Sequence, residues 1–440
     1  MKITRLGVGL MATAMALGLA ACTTPDPTTN DSSQPASAAS TTAEQVTLRL
    51  YWWGGDARHE RTQQAIDAFM VKHPNITVQP EFSDWAGYWD KLATSTAGNN
   101  SPDVIQMDQL YLASYGARGT LTDLSTLPEL NTSNLEPAVL GMGQWDGAQL
   151  AMPISTASFG LMVNLDILGN LGITLPDTTK WTWDEFATFA KSITDASGGS
   201  VAGTGIMNNE YSLQLFARQK GDQLFSDGDI VIKPETLAAY LQLGLDQSTS
   251  GAAPSASHIA ETASLALDQG DFSTGKLAMS FTQATQISAY AKASGANIQL
   301  VQIPSFDSNK AKYEYFKPGM YWSVSSQSKH PHEAAILIDF LVNDPEAATI
   351  LGTERGLPAN AKMLDSISST LTADEKKAVE YTASLTPLLG EAPSIVPNGA
   401  SAMDSIIARY EQEVLFGNQS AADAAKAMIA EVAQSIKDAQ

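Results

Sequence analysis

The chain has 440 residues, of which 44% are hydrophobic and 17% charged, an ordinary globular mixture long enough for two or more domains. Its 47 acids against 26 bases give a formal net charge of −21. Such a surface repels nucleic acid and anionic headgroups, and it weighs against a strongly anionic ligand unless a local arginine overrides it.

Residues 1–21 read as a secretory signal. Lys2 and Arg5 make a positive start, an apolar stretch runs from Leu6 to Leu19, and Leu19-Ala20-Ala21 closes it with small residues before Cys22. The stretch is too short for a comfortable membrane span. Cys22 is the single cysteine, which excludes a disulfide within the chain. A thiol placed directly after such a segment is the nucleophile that takes up a diacylglyceryl group, and cleavage before it leaves an N-terminus open to acylation with palmitate. Cys22 is therefore the expected lipid attachment site, the blander alternative being an ordinary signal peptide with a chance cysteine. The protein would then sit on the extracellular face of the cytoplasmic membrane, touching it by the lipid anchor only. Residues 22–45 are mostly Thr, Ser, Ala, Pro, Asn, Asp and Gln and cannot bury enough apolar surface to offset ordering, so they predict a flexible tether. No later apolar segment approaches membrane-spanning length.

Regular structure is expected from Val46. The alternation from Val46 to Trp53 predicts a strand ended by Gly54-Gly55. A helix follows from about Asp56 to Lys72, with Ala65, Ile66, Phe69 and Met70 on one face and Pro74 as its stop. Ile76–Phe82 reads as a second strand, Tyr88–Ala97 as a helix and Asp103–Met107 as a third strand. This alternation indicates α/β architecture with a largely parallel sheet. Further on, Thr182-Trp183-Asp184-Glu185 and Thr372-Ala373-Asp374-Glu375 are capping boxes, Asp344-Pro345 opens another helix, and Ser420–Gln440 reads as one alanine-rich helix.

Ligands of open α/β sheets bind where strands end. Trp52, Trp53, Gly54, Gly55, Asp56, Arg58 and His59 fall at the first strand-to-helix turn. Asp84, Trp85, Tyr88 and Trp89 follow the second strand, and Asp108, Gln109 and Tyr111 follow the third. Aromatic faces mixed with planar polar groups suit a sugar, whose apolar C–H face lies on a ring while Asp, Asn, Gln or Arg engages two adjacent hydroxyls. Against this, successive strand residues point to opposite faces, so Trp52 and Trp53 cannot both line one cleft and at least one is core. Trp181 and Trp183, beside a helix cap, read as structural.

Several segments in order resemble the sugar-binding lipoproteins of ABC importers, the maltose-type extracellular solute-binding proteins. They are Trp53-Gly54-Gly55 with Lys72-His73-Pro74-Asn75-Ile76, Tyr88-Trp89-Asp90-Lys91-Leu92 leading to Ser101-Pro102-Asp103-Val104 and Asp108, Gly119–Leu124, Met152-Pro153 running on to Leu161–Asp166, Thr182–Phe186, Phe272–Met279, Ser323–Leu341 and Arg355-Gly356-Leu357-Pro358. Gly98-Asn99-Asn100 departs from the usual glycine pair, at a turn asparagine tolerates.

The resemblance implies a two-lobed periplasmic-binding-protein-like α/β fold, hinge-connected, with the ligand cleft between the lobes. It implies lobe I over 46–154 plus 281–321 and lobe II over 155–280 plus 322–440, with crossings near Pro153, Ser280-Phe281 and Trp322-Ser323. Carried over segment by segment, Asp56 and Arg58 match the first binding loop and Asp108 and Gln109 the loop after the third strand. Thr282 and Gln283 match the turn after a crossing strand, Tyr321 and Trp322 the last crossing, and Arg355 a second-lobe loop that reaches the cleft. Trp53, Asp108 and Trp322 form the central set. The loop from Trp53 to His59 also looks like members that take plant-cell-wall oligosaccharides. The implied partners are an oligosaccharide ligand and the permease subunits of an ABC transporter, with the protein a monomer that needs no cofactor and binds no nucleic acid.

Three other classes stay open. A glycoside hydrolase needs two carboxylates about 5–10 Å apart, and no local motif marks such a pair. A binder of peptides or other small solutes would use an arginine and an aspartate for the two termini with fewer aromatic platforms, whereas this chain has eight tryptophans. A metal-binding protein would draw on His59, His73, His258, His330 and His332, whose spacing matches no zinc site.

Overall fold

The computed structural model describes residues 44–306 and 312–439. The signal, Cys22 and all of the tether before Glu44 lie outside the described residues. No helix among the described residues is long and apolar enough to cross a membrane.

The elements that position the site are, in chain order, β1 (Val46–Trp53), α1 (Asp56–Lys72), β2 (Ile76–Ser83), α2 (Trp85–Ala97), β3 (Val104–Met107), α3 (Gln109–Ala117), β4 (Met152–Pro153), β5 (Ser155–Ala157) and β6 (Phe159–Asn164). Then come α4 (Trp183–Ala196), β7 (Ala202–Thr204), α5 (Glu210–Gln219), β8 (Leu277–Gln283), β9 (Ile298–Val301), β10 (Lys317–Pro318), β11 (Tyr321–Val324), α6 (Pro331–Asn343), β12 (Leu357–Pro358), α7 (Ala373–Ser384), α8 (Met403–Leu415) and α9 (Ala421–Asp438).

Local chemistry explains most of these bounds. Both capping boxes form, Thr182 with Glu185 and Thr372 with Glu375. The second helix starts earlier than its apolar pattern suggests, at Trp85, because the Asp84 carboxylate accepts from the Gly87 amide. Asn99 takes φ 53° in the turn after it, the left-handed conformation asparagine tolerates. Pro80 sits inside β2 without breaking a ladder, because β2 is an edge strand.

Two sheets organise the chain. The first has the order β2-β1-β3-β11-β4, with β1, β2 and β3 parallel and β11 antiparallel to both β3 and β4. Helices cover both its faces. Leu48, Leu50 and Trp52 pack with Ile66, Phe69 and Trp322 on one side, and Tyr51 and Trp53 with Tyr88, Trp89 and Met107 on the other. The second sheet has the order β9-β6-β8-β7, and it too is buried on both faces, Leu161 and Val163 against one core and Met162 against another. A separate three-stranded ribbon, β10-β5-β12, is antiparallel throughout.

The ribbon is where the chain passes between the sheets: β4 leads through β5 to β6, β10 leads to β11, and β12 follows the helices stacked on the first sheet. Its outer strands each carry a proline, Pro318 and Pro358, placed where no further strand needs an amide donor. These pairings correct the expected segment assignment. β8 pairs with β6 along Met279↔Val163 to Gln283↔Phe159, so no crossing occurs at Ser280-Phe281, and β9 pairs with β6 as well. Segment 281–301 therefore belongs with the second sheet, while β11 from Trp322 on and all of α6, expected in the second lobe, pack on the first. The crossing near Trp322 lies instead at β10, and the third is β12. The physical reason is hydrogen-bond continuity: β8 keeps its ladder with β6 from Met279 to its last residue, Gln283, and so stays in the second sheet.

Candidate functional site

The parallel strands β1, β2 and β3 end together, and each hands over to a helix whose first turn is polar. After β1, Gly54 has φ 156°, and a Cβ there would meet Arg58 Cδ at 2.4 Å. The glycine lets the Arg58 side chain fold back across the turn. Its Nη1 donates to the Trp53 carbonyl at 3.1 Å, and its Nε donates to both Glu354 carboxylate oxygens at 3.0 and 2.7 Å. Asp56 is exposed at the first position of α1. After β3, the Asp108 carboxylate caps α3 by accepting from the Leu110 amide at 2.9 Å.

The aromatic residues of this edge form one cluster. Trp53 meets Trp85, Tyr88 and Trp89 with centroids 5.0, 5.0 and 5.6 Å apart, and Trp89 stacks on Tyr111 at 3.6 Å. In this cluster Trp85, 43% exposed, offers a ring face to solvent, with Tyr111 half-buried beside it, while Phe82, 50% exposed, stacks on His59 on the other side of β1.

The second sheet contributes the end of β8, where Thr282 and Gln283 are half-buried. They line a small cavity of about 230 Å³ with Asn209, Tyr211, Lys317 and Asp404. A neighbouring cavity of about 450 Å³ shares Gln283 and Gln286 with it and is lined by Arg58, Arg61, Ser155, Met320, Glu354 and Arg355. The ribbon residues Ser155, Ala157, Lys317 and Leu357 appear in these walls, so the trough runs over the crossing strands. A larger cavity of about 1070 Å³, between α3 and the loop 391–398, contains none of the residues singled out in the sequence.

Charge is concentrated where the halves meet. Lys317 Nζ donates to Glu210 Oε2 at 2.8 Å, and the Glu210 amide donates to Asp404 Oδ1 at 2.7 Å. Burial alone would lower the Lys317 ammonium, but Glu210 and Asp108 outweigh it and hold it above the usual lysine range. Asp108, partly exposed but closely surrounded, goes the other way: desolvation raises its carboxyl although Lys317 and the Leu110 amide oppose that. This carboxylate has one backbone donor and, among the described residues, no cation in hydrogen-bond contact, so acceptor capacity is left over.

Several expected contacts are corrected. Trp52 is fully buried, and its Nε1 donates inward to His59 Nδ1 at 3.0 Å. Tyr321 is buried with its hydroxyl donating to the Met142 carbonyl at 3.0 Å. Trp322, 1% exposed, lies in the core under α1 and α6. All three fail as ligand faces for one reason: the first sheet is covered on both sides, so neither side chain of a consecutive pair reaches a cleft. Trp53, 6% exposed, supports the cluster from beneath. Gln109 is buried. Arg355 reaches a cavity wall but turns its guanidinium into the first half, Nε donating to the Gln106 side chain at 3.0 Å and Nη2 to Thr62 Oγ1 at 2.8 Å. Of the expected residues, Arg58 and Gln283 line one cavity and Thr282 and Gln283 the other, Asp108 is charge-coupled to Lys317, and Trp85 and Tyr111 meet at the edge of the first sheet.

Glu210, Lys317, Asp404, Ser155 and Glu354 were missed. Asn209 carried a signal, since an N-cap before Glu210 and Ser212 marks a helix start at a strand-end loop, and it forms a capping box. Asp404 lies in the first turn of the amphipathic α8, and Ser155, Lys317 and Glu354 lie in short strands or loops without periodicity.

Comparison with known proteins gives three kinds of likeness. A profile of bacterial extracellular solute-binding proteins matches residues 64–379. Among curated proteins, an uncharacterized lipoprotein of Streptomyces antibioticus is 27% identical over 147 residues, 32% of each chain. The diacetylchitobiose-binding protein DasA of Streptomyces coelicolor is 27% identical over 153 residues, 34% of this chain and 35% of its own. The chain thus spans about a third of the length of the curated relatives it matches. Among solved structures, a periplasmic oligogalacturonide-binding protein of Yersinia enterocolitica superposes with a TM-score of 0.78 at 24% identity, covering 90% of this chain and 99% of the other.

Proposed function

The chain belongs to the bacterial extracellular solute-binding protein family, and from that premise we propose that it captures an oligosaccharide between two lobes and presents it to the permease of an ABC importer. The first lobe is built on the β2-β1-β3-β11-β4 sheet and the second on β9-β6-β8-β7, with the ribbon as hinge. One observation carries the reading: Arg58 from the first half and Thr282, Gln283 and Asp404 from the second line adjoining cavities over the crossing strands, with Asp108 charge-coupled to Lys317 in their wall.

The mechanism requires no bond to be made or broken. Each sheet edge alone wets the polar rim of a sugar. Closure removes water from both faces and adds the second set of hydrogen bonds, so ligand shifts the open–closed equilibrium by its preference for the closed form. Trp85, backed by Trp53 and Trp89, supplies the stacking face. The diacetylchitobiose and oligogalacturonide named for two similar proteins support a carbohydrate as the cargo class. Cys22 serves as the lipid attachment point and the residues up to 45 as a tether, which keeps the monomeric body near a membrane-bound partner.

Titrating the tryptophan fluorescence of the full chain with a panel of oligosaccharides and a panel of peptides tests this. Saturable changes with a sugar at micromolar concentration, and intact sugar recovered afterwards, are expected. Response to peptides alone, or cleaved sugar, would replace the reading.

A further inference from the structure

Each half reaches the trough on its own helices and strands, but Lys317 reaches it on the ribbon, which belongs to neither. β10 pairs with β5 through Lys317↔Ala157. The lysine side chain is 14% exposed and lines the cavity of about 230 Å³ with Thr282, Gln283 and Asp404. An ammonium carries three N–H donors. Among the described residues one is taken, by Glu210 Oε2 at 2.8 Å. That pair is fixed in place. The hydroxyl of Tyr211, the next residue of α5, lies 3.1 Å from the Ala157 carbonyl and 2.8 Å from the Tyr315 carbonyl, which ties the start of α5 to β5 and to the segment entering β10.

Asp108 comes to the same place from the other half. Leu110, two residues on in α3, packs against the core of the second half and so holds the start of α3 against it. The Asp108 carboxylate accepts from the Leu110 amide and forms no ion pair among the described residues, with Lys317 or any other cation. The two charges nonetheless lie in each other's field. Burial pushes the Asp108 carboxyl up while Lys317 holds it back, and against burial Glu210 and then Asp108 raise the Lys317 ammonium. A carboxylate with acceptor capacity and an ammonium with two N–H groups to give thus stand where the halves meet, coupled but not touching.

We propose that Lys317 and Asp108 are an ion pair held open for one hydroxyl of the ligand, which donates to the carboxylate while accepting from the ammonium, so that Lys317 is a specificity-determining residue of the trough. The inference rests on the carbohydrate reading above and deepens it. A hydroxyl donates and accepts at once, and each of the two hydrogen bonds would be charge-assisted, roughly twice as strong as a neutral one. A C–H group in that position would leave both charges out of water without a partner. A ligand carboxylate or ammonium would match one of the two and repel the other. The bridge also couples binding to closure: it joins a first-half residue to a hinge strand that Glu210 and Tyr211 tie to the second half, so it is complete only when the halves come together.

The test is calorimetric titration of the full chain with cello-, malto-, galacto- and chito-disaccharides and, for the one that binds, with its set of monodeoxy analogues. In the wild type one deoxy position should cost on the order of ten- to a hundredfold in affinity. Lys317→Met alone would leave Glu210 charged and buried, so it is made together with Glu210→Gln. Replacing a buried pair as a unit is often neutral for stability, and the double variant should keep the wild-type circular dichroism spectrum. Asp108→Asn, whose fold does not depend on that pair, reads the other end of the bridge. In both variants the penalty at the same deoxy position should shrink to a few-fold while the other positions keep theirs. Loss of sensitivity at two different positions, or in Asp108→Asn alone, overturns the bridge. So does a double variant that binds every analogue equally more weakly with all penalties unchanged, since Lys317 would then be structural only. Each of these results leaves the carbohydrate reading standing, whereas binding of peptides with none of these sugars overturns both.

Discussion

Trp322→Ala separates a core residue from a ligand platform. The Trp322 side chain is buried among Trp52, Val324, Met152 and the helices over the first sheet, and its ring lies 5.3 Å from the Arg355 guanidinium. Its Nε1 makes no hydrogen bond, so none is lost on truncation. What is lost is about 200 Å² of buried apolar surface, or about 5 kcal/mol at 25 cal/mol per Å², and measured losses for buried Trp or Phe to Ala are about 3–5 kcal/mol. With a urea slope of about 3 kcal/mol per molar, the midpoint of the transition should fall by about 1–1.7 M. Trp85→Ala is the counterpart. Its ring is nearly half exposed and meets Trp53, Trp89 and Tyr111 edge to face, so its cost should stay under about 1.5 kcal/mol, while the fluorescence response to sugar should weaken about tenfold. Urea melts of the three proteins, followed by far-ultraviolet circular dichroism, check the first claim, and sugar titrations of the same samples check the second. A Trp322→Ala protein that unfolds at the wild-type midpoint yet loses sugar would refute the argument, since it would mean that the ring faces ligand and that the packing of β11 has been misread.

Further outcomes follow from the same geometry. Asp108→Asn should lower sugar affinity roughly tenfold, by removing a charged acceptor. In the wild type, affinity should fall as pH drops through a value above the ordinary aspartate range, because burial raises that carboxyl, and the variant should show no such fall when titrated calorimetrically across the same range. Glu411 is buried against the helix Pro234–Ser250, beside Gly244 and Tyr240, with one carboxylate oxygen unpartnered among the described residues, and burial raises its carboxyl well above the usual range. A carboxyl protonated when folded and ionised when unfolded favours the folded state fully only below the unfolded value near 4.5, and that contribution declines as pH rises toward the folded value. Glu411→Gln should therefore stabilise the protein at neutral pH and make no difference below about pH 4 in urea melts. Gly54→Ala should displace the Arg58 side chain, seen as weaker sugar binding with the fold retained by circular dichroism.

The parts of this fold that could be read in advance are those whose cause is local. β1 declares itself by alternation, α1 by its apolar face, and the helices at Trp183 and Ala373 by side chains that cap their own first turn. The hinge ribbon has no such cause. Its strands are two or three residues long, two of them contain proline, and they exist only because three distant segments meet. The misplaced crossing at Ser280-Phe281 has the same origin: nothing local distinguishes a strand that stays in its sheet from one that leaves, and only the pairing of β8 with β6 decides it. The aromatic residues make the point in chemical terms. Strand-end position picked out Trp52, Trp53 and Trp85, and the family resemblance Trp322, but a ring becomes a binding surface only where no helix covers it. Coverage is set by α1, α2 and α6 arriving from elsewhere in the chain, and it leaves Trp85 open while closing over Trp52 and Trp322. A signal that would have ranked them is position relative to the helix start, since Trp85 is the first residue of α2, where a side chain stands at the rim of the sheet and not within it. The same reasoning explains why Asp108 was legible and Lys317 was not: one caps a helix directly after a buried strand, and the other acquires its meaning only from Glu210, 107 residues away.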